Sequence, residues 1–279
     1  MSDSVVIVTD SAASIPDELV SRFGIVVVPM SVVVGGAVHA DGDLSMVEVM
    51  ARVREGLSTS APSPGEFLDA LRAHQREAGA LVLTVSKDMS ACFKAASTAA
   101  QMVDGNVRVF DTGTAAGGQG LVVLAAAEAA AAGASLEEVE AAARVAAARV
   151  RLVATMESLD RLAASGRVPN VAALAGRWVG LRPLFEFREG RARPLRPAFS
   201  REAALDRIVA SWRVSRIDGA RLHVAALHAQ AEEEAKRLLE AVAGDVEPAT
   251  AFVAAFSSVM VVHTGLGLVG LAWWWEQTS

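Results

Sequence analysis

The chain has 279 residues, 52% of them hydrophobic and 21% charged, so it has ample apolar surface for a sizeable core, and intrinsic disorder is excluded. Its formal charge of −6 excludes a general nucleic-acid binder, which needs surplus cations to neutralise phosphates. A single cysteine, Cys92, excludes an internal disulfide or a cysteine-rich zinc site and points to a reducing cytoplasm.

The N-terminus lacks the cationic start and long apolar run of a secretory signal, and Val5 to Val8 reads as a first strand. Short β-branched runs recur at Ile25 to Pro29, Leu81 to Val85 and Val107 to Phe110. Between them the period becomes helical, over Leu44 to Leu57, Pro64 to Gln75, Ser90 to Val103 and Gly117 to Ala132, with Leu136 to Val153 closing the set. Strand followed by helix, repeated, predicts a largely parallel sheet covered on both faces, with ligands beyond the carboxyl ends of the strands.

Near residue 155 the composition changes. Eight arginines (161, 167, 177, 182, 188, 191, 193 and 196) face only Glu186 and Glu189, which predicts a positive face for an acidic partner. Split there, residues 1–154 carry a charge of −7 and residues 155–279 a charge of +1. The expected architecture is therefore α/β with two lobes: an N-terminal lobe (1–154) with a largely parallel sheet flanked by helices, and a smaller C-terminal α/β lobe (155–279). Pro248 to Trp275 contains no Asp, Glu, Lys or Arg and is nominally long enough to cross a bilayer. His263 and the Gly265-Leu266-Gly267 break argue instead for two buried strands, Ala251 to Val262 and Leu268 to Trp275, with His263 in the turn. The Trp273-Trp274-Trp275 run reads as sheet core or as an edge used for association.

Polar residues gather at predicted strand ends: Thr9-Asp10-Ser11, Ser58-Thr59-Ser60, Ser86 to Ser90, Asp111-Thr112 and His263-Thr264. Most are hydroxyls, which suit holding one carboxylate or phosphate. Ser90 is placed to cap the following helix, whose first amides at Ala91 and Cys92 would face an anion. Each residue also has a plainer reading: Ser90 as an ordinary cap, Thr59 and Ser60 as loop residues before Pro62, Asp10 as an acceptor for turn amides, His263 as a structural histidine. The glycines at 113, 117, 118 and 120 lack the G-x-G-x-x-G spacing of a dinucleotide site. His39, Asp41 and Asp43 could suggest a metal, but the segment is more economically a polar turn, and no metal is expected. No Gly-x-Ser-x-Gly elbow is present.

Taken in order, Thr9-Asp10-Ser11, Asp41-Gly42-Asp43-Leu44-Ser45, Thr59-Ser60-Ala61-Pro62-Ser63, Ser86 through Ser90, Asp111, Ser165-Gly166-Arg167 and His263-Thr264-Gly265-Leu266-Gly267 resemble the DegV family of fatty-acid-binding proteins. The resemblance runs nearly end to end. It implies an acyl chain in an apolar tunnel between the lobes, with Thr59 and Ser90 holding the carboxylate and Ser60, Ala91 and His263 beside them. It also implies that Arg167 lies near the head group and a docking region for a separate fatty-acid kinase. The protein itself would be no enzyme: it would take a bound fatty acid, no cofactor and no metal, exchange its ligand transiently with membranes, and serve phospholipid metabolism. Where the family usually has Ser-Gly-Leu-Ser-Gly-Thr-Tyr, this chain has Lys87-Asp88-Met89-Ser90-Ala91-Cys92-Phe93, which bears on chain-length choice and partner fit. The competing reading is a stand-alone enzyme acting on a small anionic substrate with Asp10, Asp111 and His263 as acid-base groups.

Overall fold

The computed structural model of the chain describes residues 4–166 and 180–277. Strands β1 (Val6–Asp10), β2 (Val26–Val28), β6 (Ala80–Thr84) and β7 (Val107–Asp111) form a parallel sheet in the order β2-β1-β6-β7. Alternate residues of β1 and β6 point to opposite faces, and both faces are apolar. Val6, Val8 and Val82 pack with Phe67 and Leu71 of α3 (Pro64–Ala73) and Ala96 of α4 (Cys92–Ala100). Ile7, Leu81 and Leu83 pack instead with Leu121 and Val139, from α5 (Ala116–Ala131) and α6 (Leu136–Arg149).

The second sheet has six strands in the order β10-β9-β8-β13-β11-β12, made by β8 (Arg151–Thr155), β9 (Arg182–Arg188), β10 (Arg191–Ala198), β11 (Arg221–His228), β12 (Thr250–Ala255) and β13 (Val269–Glu276). Only β11 and β12 run parallel. One face shares the core around α5, through Ala225, Leu227 and Trp274. The other is covered by α8 (Arg201–Val214) and α9 (Glu232–Ala243), with Trp212 and Leu238 packed on Trp273 and Trp275. The tryptophan run is therefore core on both faces of an interior strand, and the reading of it as an association edge is overturned.

Helix α5 lies between the two sheets, and this accounts for its glycines. A Cβ on Gly117 would stand 2.8 Å from Leu227 Cδ2 on one side, and a Cβ on Gly120 would stand 2.7 Å from the Ala13 carbonyl oxygen on the other. They are contact glycines of a squeezed helix. We expect Gly120→Ala to cost roughly 1–3 kcal/mol, because the obstructing atom is backbone and cannot swing away. Chemical denaturation of the variant would check this; an unchanged midpoint would mean that the helix shifts freely.

Three expectations need correction. Leu44 to Leu57 is not one helix: α2 (Met46–Ala51) is short, and β5 (Leu57–Ser60) pairs with β3 (Ser31–Val34), itself paired with β4 (Ala37–Ala40), in a small antiparallel sheet. Leu136 to Val153 ends as a helix at Arg149, since Val150 turns extended and the buried segment beyond it, Arg151–Thr155, enters the second sheet. Ala251 to Val262 is strand only to Ala255; Ser257 caps α10 (Ser258–Thr264), its side chain accepting from the Met260 amide. Between β8 and β9 lies the short helix α7 (Asp160–Ala164), and α1 (Asp17–Phe23) follows β1. Among the described residues, no helix is long and apolar enough to cross a membrane.

Candidate functional site

The ends of β1 and β6 open beside a cavity of about 590 Å³. Crossovers leave these neighbouring strands toward opposite faces of the sheet, so the crevice forms where a doubly wound sheet usually binds its ligand. Met30, Val85, Phe93, Leu162, Val259 and Met260 supply apolar wall, and the polar contacts come from Thr59, Ser90, His263 and Thr264. Lys87, Asp88 and Lys94 also line it, and Lys87 and Lys94 are exposed.

Thr59 arrives on β5, opposite Val32 of β3. The strand's alternation turns Leu57 and Thr59 inward, whereas Ser60 is exposed and does not line the cavity. His263 arrives from the other end of the chain, on the last turn of α10. Two contacts hold that helix to the turn after β4: the Val259 amide donates to Asp41 Oδ1 at 3.2 Å, and the Ser258 hydroxyl donates to the Leu44 carbonyl. Asp41 Oδ2 also accepts from the Ser11 hydroxyl at 2.6 Å, and Asp43 accepts the Ala40 amide. The Asp41-to-Leu44 segment is thus a clasp joining early and late chain. The clasp brings Thr59 Oγ1 to within 2.9 Å of His263 Nε2, and the two share a hydrogen bond across 204 positions of sequence.

Ser90 lines the same cavity, from the loop between β6 and α4. It is not the N-cap expected: the helix begins at Cys92 with Ala91 in the capping position, and Ser90 Oγ accepts the Cys92 amide at 3.4 Å and lies 3.1 Å from the Cys92 sulfur. The preceding turn fixes this placement, since the Ser86 carbonyl takes the amides of both Met89 and Ser90. Ala91 lines the same cavity. Burial and the neighbouring Asp10 charge push the Cys92 thiol well above its ordinary range, so it remains a protonated, inert packing group.

The other proposed acid-base groups have structural work. Asp10 is fully buried; Oδ1 accepts from the Ala12 amide and Gln119 Nε2, both at 3.1 Å, and Oδ2 from the Val85 amide at 2.8 Å. Burial pushes its carboxyl up and those hydrogen bonds pull it back. Asp111 accepts the amides of Lys87 and Gly113. Of the three groups, only His263 lines the cavity, and the acid-base constellation does not assemble. Arg167 and Arg177 lie outside the described residues. From the rest of the basic stretch, Arg182, Arg188 and Arg193 pair with Glu157 or Glu189, while Arg191 and Arg196 are exposed.

The family model described as "Uncharacterised protein, DegV family" matches residues 4–276. The chain belongs to the DegV family. A DegV domain-containing protein of Streptomyces coelicolor is 34% identical over 280 residues, covering 97% of this chain and 98% of its own. Among solved structures, a DegV family protein from Thermus thermophilus, described for its fatty acid binding, superposes with a TM-score of 0.90 at 30% identity, covering 98% of this chain and 99% of that one. A DegV lipid binding protein from Thermotoga maritima gives 0.87 at 25% identity, covering 99% and 100%. The α/β fold expected from the alternation of strands and helices is the fold of these DegV proteins, and the resemblance read from the ordered motifs is borne out. Sequence reasoning missed the wall residues Val259, Met260 and Leu162, the first two because a charge-free run was read as strand.

Proposed function

We propose that this protein binds a long-chain fatty acid with its alkyl chain in the apolar cavity and its carboxylate between Thr59 and Ser90, beside His263. The observation that carries this reading is the pairing of Thr59 with His263 at one mostly apolar cavity of about 590 Å³ that Ser90 also lines. That volume lies within the roughly 300–1,000 Å³ usual for small-molecule sites. A long alkyl chain contributes about 0.8 kcal/mol per buried methylene, so the tail sets affinity. Hydrogen bonds to the charged head contribute about 1.5–3 kcal/mol each and set orientation. The fatty acid binding described for the relative from Thermus thermophilus supports the same assignment.

The finer reading is that the protein is a carrier, acting in the cytoplasm as two lobes divided near residue 154. It presents the carboxylate to a separate ATP-dependent kinase that forms an acyl phosphate, with Arg167 at the docking face. Hydroxyls suit that task, because a carboxylate they hold keeps more nucleophilic charge than one clamped by arginine. With oleate-loaded protein, a fatty-acid kinase and γ-labelled ATP, label should appear on the extracted lipid only when all three are present. Lipid left unlabelled by a kinase that is active on another DegV carrier would reject the carrier role.

A further inference from the structure

Three of the side chains that wall the acyl cavity are methionines: Met30, Met89 and Met260. Two of them lie at the seam of the molecule. Met89, on the loop before α4, and Met260, on α10, each pack against both large hydrophobic cores, the one that holds Leu83 and Leu121 and the one that holds Val8 and Phe67. Both are half-buried, whereas Met30 is buried within the second core. The valines of the same wall, Val85 and Val259, are buried too, and branching at Cβ restricts their rotamers. The wall therefore has a stiff part and a yielding part. Methionine is unbranched and turns about three side-chain bonds, and at a seam it has room toward either core when a ligand pushes it.

We propose that Met89 and Met260 set the acyl specificity of the cavity by re-packing around the ligand, so that straight saturated chains and bent cis-unsaturated chains bind with like affinity. The inference rests on the proposed function in taking the occupant to be a fatty acid. Chains of equal length bury nearly the same apolar area whether straight or bent, so the hydrophobic term does not separate them. Discrimination arises where a rigid wall meets the wrong shape, and overpacking of that kind lowers affinity by roughly ten- to a hundredfold. A wall that gives way at two methionines forgoes that penalty, as adaptable methionine-rich binding surfaces do.

The test titrates stearate and oleate into the lipid-free protein and into the Met89→Ile, Met260→Ile double variant. Isoleucine is close to methionine in volume but branched at Cβ, so it keeps the space filled and removes the motion. The parent should bind the two acids within about threefold of each other, and the double variant should separate them by about tenfold or more. Methionine methyl NMR supplies a second reading on the parent alone. The Met89 and Met260 signals, identified from the single variants, should differ between stearate-loaded and oleate-loaded protein, while the Met30 signal should not. A parent that itself separates the acids by about tenfold has a rigid wall and overturns the inference. So does a folded double variant with the parental ratio, or a pair of methyl signals that are the same with both ligands. The NMR comparison decides the matter even where the double variant fails to fold. A parent that takes up neither acid would overturn the lipid reading itself, whereas strong binding of one acid and weak binding of the other would overturn this inference alone.

Discussion

Replacing Thr59 and Ser90 together with alanine is expected to weaken fatty-acid binding by roughly 10²–10⁴-fold. On the proposed placement each hydroxyl would donate to a charged carboxylate in a partly buried site, and such hydrogen bonds are worth about 1.5–3 kcal/mol apiece, with tenfold in affinity for each 1.4 kcal/mol. The fold should survive, because Thr59 lies on a strand whose ladder is backbone and Ser90 is not the helix cap. Ser60→Ala serves as the matched control, since that side chain is exposed and off the cavity, and should bind as the parent does. Titration of a fluorescent fatty acid into each variant measures the effect. A double variant that retains parental affinity would mean that the carboxylate sits elsewhere.

Asp10→Ala is expected to be the most destabilising single change near the site, by roughly 3–6 kcal/mol. It strands the amides of Ala12 and Val85 and one N–H of Gln119 in a buried place, and each unsatisfied buried donor costs about 1–3 kcal/mol. The Val85 and Gln119 donors tie the end of β1 to the end of β6 and to α5, so the loop that carries Ser90 loosens with them. Asp10→Asn should cost less than half as much. Its carbonyl still accepts an amide, and its new N–H₂ can meet Gln119 Oε1, which has no hydrogen-bond partner among the described residues. Thermal melting separates the two variants: about 2–4 °C per kcal/mol is expected at this chain size. Asp10→Asn that folds and still binds fatty acid confirms a structural carboxylate, whereas a well-folded Asp10→Asn that loses only a chemical activity would revive the acid-base reading.

Local pattern was enough for the first sheet. The apolar runs at β1, β6 and β7 and the helical period of α3, α5 and most of α6 are carried by residues close in sequence, so periodicity exposes them. The small sheet of β3, β4 and β5 escaped because its strands are only four residues each, and β5 follows a turn and a half of true helix. α10 escaped because Val259 to Val262 is apolar and β-branched at three of its four positions, and the serine cap with its clasp to Asp41 decides for helix against that propensity. The site divides in the same way. Hydroxyls at strand ends point to an anion as an expectation, yet nothing in spacing says that Thr59 meets a histidine 204 positions later; only the resemblance to the DegV family groups them.

The most direct measurement is organic extraction of the purified, undelipidated protein followed by mass spectrometry. A long-chain fatty acid close to one per chain is predicted, and its loss is predicted from the Thr59→Ala, Ser90→Ala double variant purified in the same way. A parent preparation that carries no fatty acid and also fails to take up added palmitate or oleate would contradict the account.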